Sequence, residues 1–120
     1  MHDVDLRDLV RALLGGDTLS ARQWVADARR AAVPWAQVPE PTGLDPIAMA
    51  VAAGIVELLA GRAGQEAPAW TAGVGPVAEP LFLVRAAATM PRLRRTCELE
   101  SPDPLRRRRV FAPPNFLTAA

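Results

Sequence analysis

Leu6, Leu9, Val10, Leu13 and Leu14 fall on one side of a helical wheel, while Asp3, Asp5, Asp8, Arg7 and Arg11 fill the other. The spacing predicts an amphipathic first helix with acids toward its N-terminus, as the macrodipole prefers, closed by a left-handed turn at Gly15-Gly16. A second helix is expected to start at Ser20. Ser20 and Gln23 have the spacing of a capping box, and Leu19 and Trp24 take the flanking staple positions. Val25, Ala28 and Ala32 continue one face, Arg22, Arg29 and Arg30 another, and Pro34 stops the run. The two helices predict an αα-hairpin.

Residues 34–46 hold four prolines and a glycine and read as an extended surface connector, pinned by Trp35. Asp45 as N-cap and Pro46 as first helical residue, with Leu44 and Met49 as a second staple, open a third helix running to about Ala60. It is apolar around nearly its whole circumference, so it must be covered on several sides. At roughly 22 Å it falls short of the roughly 30 Å hydrocarbon core of a bilayer, which makes it a buried core helix.

Glycines and prolines make residues 61–80 loop-like, with Trp70 as an anchor. Leu81 to Val84 is an apolar run too short for periodicity to decide between strand and helix turn. With no second strand evident, a helical turn is expected. Ala86 to Met90 and Pro91 to Glu98 read as one or two short helices separated at Met90-Pro91, and Ser101-Pro102-Asp103 reads as the cap of a last helical turn through the arginines. The expected fold is all-α: one small helical bundle over residues 1–120, with a hairpin and core helix in 1–60 and a loop-rich, basic, Pro/Arg-rich irregular half in 61–120.

A chain of 120 residues that is half apolar can bury a core without staples. Its net charge of +1 conceals an asymmetry, about −3 in residues 1–60 and +4 in 61–120. All fourteen basic residues are arginine, a pattern that fits either bidentate anion recognition or the codon bias of a GC-rich genome. The lone Cys97 permits no internal disulfide, and the acidic stretch Met1 to Asp8 lacks the basic flank and apolar run expected of a secretion signal. A cytoplasmic setting is expected.

No constellation reads as catalysis. His2, the only histidine, sits where a chain usually frays, and Cys97 has no internal histidine as base. Glu98, Glu100 and Asp103 lie among arginines and read as charge balance. No phosphate-gripping loop, dinucleotide fingerprint or nucleophile elbow is present, and no metal or cofactor is expected. The three tryptophans read as packing rather than as a base-stacking platform.

The sequence feature that stands out is Arg106-Arg107-Arg108-Arg109 followed by Val110 to Leu117, an apolar and proline-stiffened tail. On a helix, four successive residues spread over roughly 300°, so they cannot all face one phosphate track. Three roles remain open: internal bridging to Glu98, Glu100, Asp103 and helix C-terminal carbonyls, docking of a partner protein, and binding of nucleic acid. For docking, the candidates are Arg106 to Arg109 with Phe111 and Phe116 as apolar anchors. For nucleic acid they are Arg92, Arg94, Arg95 and the same four arginines. Phe111, Phe116 and Leu117 fit equally a final plug into the core.

The pieces Ala21-Arg22-Gln23-Trp24-Val25-Ala26-Asp27-Ala28, Val51 to Leu59, Glu79-Pro80-Leu81, and Pro104 to Arg108 leading to Pro114-Asn115-Phe116-Leu117 span nearly the whole chain. In them the chain resembles a group of short uncharacterised bacterial proteins that look like small partners encoded near toxin–antitoxin-type genes, including nucleotidyltransferase-like toxins. The resemblance implies an accessory or antitoxin-like protein that acts by contact, with a toxin-like protein as partner. The chain departs from the usual antitoxin layout, having no recognisable DNA-binding motif joined to a disordered tail.

Overall fold

The computed structural model describes residues 5–118; the expectations placed on His2 and Asp3 lie outside them. Helix α1 spans Leu6–Leu14, with the Asp5 carboxylate accepting the Arg7 N–H at 3.0 Å as its cap. It buries Leu6, Leu9, Val10 and Leu13, while Leu14, expected on the same stripe, is exposed. Gly16, at φ 73°, makes the left-handed turn, and the Arg85 guanidinium lies over it, donating to the Gly15 carbonyl.

Helix α2, Thr18–Arg30, starts three residues earlier than the capping-box spacing predicts, with its N-cap at Asp17 rather than Ser20. Asp17 is the N-cap, and its carboxylate accepts the Ser20 N–H at 3.1 Å, which makes Ser20 a recipient of the cap rather than its source. Gln23 is spent on Asp27 at 2.9 Å, and Leu19 stands 80% exposed, so the staple expected of it is not formed. Trp24 turns toward Trp35, their ring centroids 6.4 Å apart. The helix ends before Pro34 is reached, with Ala32 at φ 51° in the position glycine usually takes.

The connector is held from outside itself. Trp35 is buried in a 3₁₀ turn, Trp35–Gln37. Its backbone N–H donates to Gln65 Oε1 at 2.9 Å, while Gln65 Nε2 donates to the Val33 carbonyl at 3.3 Å. The Trp70 indole N–H donates to the Val38 carbonyl at 2.9 Å.

Helix α3, Pro46–Arg62, opens as predicted, with the Asp45 carboxylate accepting the Ala48 N–H at 2.8 Å and Pro46 in the first turn. Eleven of its residues are buried, on every side of the helix, and it packs against α1, both flanking 3₁₀ segments and the C-terminal elements. Its small residues permit close approach. A Cβ added at Gly54 would stand 2.7 Å from Leu105 Cδ2 and 3.2 Å from the Pro104 carbonyl oxygen.

The remaining elements are a 3₁₀ segment Ala69–Gly73, strand β1 (Leu81–Phe82), a 3₁₀ segment Arg85–Ala88, α4 (Pro91–Glu100), α5 (Asp103–Arg106) and strand β2 (Val110–Phe111). The fold is a single, mostly helical domain around α3, with an irregular C-terminal segment. The expected helical turn at Leu81 to Val84 is corrected: Leu81 and Phe82 pair in parallel with Val110 and Phe111. The Leu81 N–H donates to the Arg109 carbonyl at 3.0 Å and the Leu83 N–H to the Phe111 carbonyl at 2.9 Å. Ser101 does not cap α5 either. Its hydroxyl sits between the Cys97 and Ala112 carbonyls and accepts the Ala112 N–H at 2.9 Å, tying the end of α4 to the tail.

Gly54→Ala gains about 1 kcal/mol in helix propensity, but overpacking against fully buried Leu105 costs about 1–3 kcal/mol. A net loss is expected in urea unfolding, and a larger one for Gly54→Val.

Candidate functional site

Glu57 is the one charge in the middle of α3, and its side chain is only 10% exposed. A carboxylate in such a place must be paired or protonated. Arg108, 3% exposed, supplies the pair through a two-point contact, Nη1 to Oε1 at 2.6 Å and Nη2 to Oε2 at 3.0 Å. Its three other N–H groups also find acceptors. Nε donates to the Val74 carbonyl at 3.1 Å, Nη1 to Pro104 at 2.9 Å and Nη2 to Thr71 at 2.8 Å, so all five guanidinium donors are used. Arg107 adds a second cation on Glu57 Oε1 from the solvent side. Burial alone would raise the Glu57 pKa, but the hydrogen bonds from Arg108 and Arg107 outweigh it and hold the carboxyl down at about 2.

The arginine run is thereby divided. α5 is a single turn that places Arg108 toward α3 and leaves Arg106, Arg107 and Arg109 outward. Arg106 donates to the Leu99 carbonyl at the end of α4 at 3.3 Å and meets Asp103 at 3.5 Å. Arg109, at φ 62°, reverses the chain into β2, and its Nη1 donates to the Ala78 carbonyl at 2.6 Å. The backbone takes part as well, since the Arg108 carbonyl accepts the Val77 N–H at 3.0 Å.

Two of the six residues expected at a docking surface are therefore inside the protein. Arg108 is consumed by Glu57 and three carbonyls, and Phe116, 7% exposed, is a core plug together with Leu117. Phe111 is half-buried, its ring 5.3 Å from that of Phe82. Of the bridges expected to the C-terminal acids, Asp103 meets Arg106, and Glu98 meets Arg94 at 3.8 Å. The acid that matters, Glu57, was missed. Its signal was available: a single carboxylate in an otherwise apolar helix implies a buried counter-charge elsewhere in the chain.

Arg92, Arg94 and Arg95 all stand exposed on α4. Arg94 is engaged, lying 4.8 Å over the Phe82 ring besides meeting Glu98. Arg92 and Arg95 make no ion pair among the described residues. With Leu99 they occupy a sector of about 60° on the helix, opposite buried Cys97. Burial pushes the Cys97 thiol up, away from the thiolate form that would react. Among the described residues, no three His, Cys, Asp or Glu side chains are placed to hold a metal ion. No helix there is long and apolar enough to cross a membrane. Comparison with family models, with curated proteins and with solved structures finds no match to this chain.

The depressed Glu57 pKa has a defined consequence. Its contribution to stability is complete above the unfolded carboxyl value of 4.5 and is lost as pH falls toward about 2. Over that window wild type should lose about 3 kcal/mol that Glu57→Gln, already less stable at neutral pH, does not lose again. Urea unfolding at a series of pH values measures the difference.

Proposed function

We propose that this protein is a non-enzymatic, cytoplasmic binding module that recognises another protein through the outward face of α4. The observation that carries this reading is the combination on that face of Arg92 and Arg95, without acidic partners among the described residues, and Leu99 at 59% exposure. An apolar side chain flanked by unpaired arginines suits a partner surface that offers an apolar pocket between carboxylates. The resemblance in the sequence favours an accessory or antitoxin-like role, with a toxin-like protein as partner. Arg106, bonded to the Leu99 carbonyl, extends the same surface into the arginine run.

The same arginines suit nucleic acid, but an exposed leucine between them does nothing for a phosphate backbone, and salt separates the two cases. Pull-down from the native host, at about 0.15 M salt and with nuclease, should retain one stoichiometric protein. That protein should be lost with the variant Arg92→Glu, Arg95→Glu, Leu99→Asp. Recovery of nucleic acid only in the absence of nuclease, with affinity falling steeply in salt, would overturn the reading.

A further inference from the structure

A second feature lies away from α4. Between the C-terminal half of α2, the end of α3 and the tail is a half-open hollow of about 340 Å³, within the size range of small-molecule sites. Its floor is apolar, built from Val25, Val33, Trp35, Leu59 and Leu117, all buried core residues. Its rim carries Arg29 and Arg62, and no acidic residue lines it. A smaller hollow of about 270 Å³ continues along α2 past Leu117, again with an arginine, Arg22, and no acid.

The charges at the rim are unbalanced. The Arg29 side chain makes no hydrogen bond or ion pair among the described residues, whereas Arg30 beside it is matched by Asp27. Arg62 is held in place by the tail, donating through Nη1 to the Phe116 carbonyl at 2.6 Å and through Nη2 to Pro114 at 3.4 Å. Those bonds leave up to three of its five donors uncommitted. Both guanidinium-bearing residues line the same hollow, and burial, then repulsion from Arg29, lower the Arg62 pKa. Two like charges meeting over an apolar chamber are relieved by an anion that brings an apolar body with it.

We propose that this hollow binds a small amphipathic carboxylate, its apolar body on Trp35, Leu59 and Leu117 and its carboxylate between Arg29 and Arg62. Arginine suits this head group because its planar fork meets both carboxylate oxygens. A single charge matches one free guanidinium and one partly committed to the tail. The volume suits an unbranched body of about ten heavy atoms or fewer. This site is independent of the α4 surface, and its failure leaves that reading untouched.

The test uses octanoate as probe, followed by amide and indole NMR shifts of the full chain. Saturable shifts should centre on the Trp35 indole and on Val33, Ala63 and Leu117. Octan-1-ol, with the same body and no charge, should bind at least about tenfold more weakly, and Arg29→Gln should weaken octanoate by a similar factor. Arg29 is exposed and makes no bond that folding needs, so this variant should fold normally. Ala63→Phe, at an exposed position on the rim, should block the site. Shifts that scatter or fail to saturate would overturn the proposal, as would equal binding of octanol and octanoate. So would tighter binding at the same amides by an acidic amphipathic peptide, which would make the hollow a peptide groove.

Discussion

A carboxylate inside an apolar helix has to be answered by a cation, and the C-terminal half of this protein is arranged around that answer. Glu57 is largely shielded from water in the middle of α3, its side chain only 10% exposed, and no basic residue of the first sixty pairs with it. The counter-charge comes from Arg108, about fifty positions along the chain. Once the guanidinium is beneath α3, its remaining donors fasten the carbonyls of Thr71, Val74 and Pro104. One side chain thus pins the end of the 3₁₀ segment Ala69–Gly73 and the start of α5 to the core helix. Taking a charged pair out of water is costly, which is why the geometry has to satisfy every donor.

The short strands follow from the same placement. Burying Arg108 brings its carbonyl and that of Arg109 to the N–H groups of Val77 and Leu81, and the chain leaves through β2 beside β1. The left-handed turn at Arg109 and the close approach of Leu105 to Gly54 fit this route. Phe116 and Leu117 then close the core, and Arg62 holds their end of the chain. An arginine run that looks like a binding tail is in large part a brace. The neighbouring face of α4, with Arg92, Arg95 and Leu99, is left exposed.

Local chemistry was legible in the sequence and long-range chemistry was not. The Asp45-Pro46 start of α3, the apolar stripe of α1, the Gly16 turn and the break at Met90-Pro91 each depend on residues a few positions apart. Even so, local signals compete: Asp17 captured the N-terminus of α2 from Ser20 because it lies one turn earlier and offers a stronger acceptor. The β1–β2 pairing joins residues twenty-nine apart in two-residue strands, with no periodicity to reveal it. For the candidate site, Arg92, Arg94 and Arg95 were legible only as cations that nucleic acid would need, whereas the burial of Arg108 depends on Glu57 and that of Phe116 on core residues far along the chain. Glu57, a lone carboxylate in an apolar helix, was the one residue from which a buried counter-charge was inferable.

The central claim is that Glu57 and Arg108 act as one unit holding the two halves together. A double-mutant cycle with Glu57→Gln and Arg108→Met, followed by urea unfolding at neutral pH, measures this directly. Each single change should cost about 3–5 kcal/mol, since it strands a buried charge or donor. Removing both should cost much less than the sum, giving a coupling of about 2 kcal/mol or more. Arg108→Lys, which keeps the charge but not the two-point contact, should remain clearly weaker than wild type and guards against variants too unstable to measure. A coupling below about 0.5 kcal/mol, the level of independent sites, would contradict the account and return Arg108 to the status of an ordinary buried side chain.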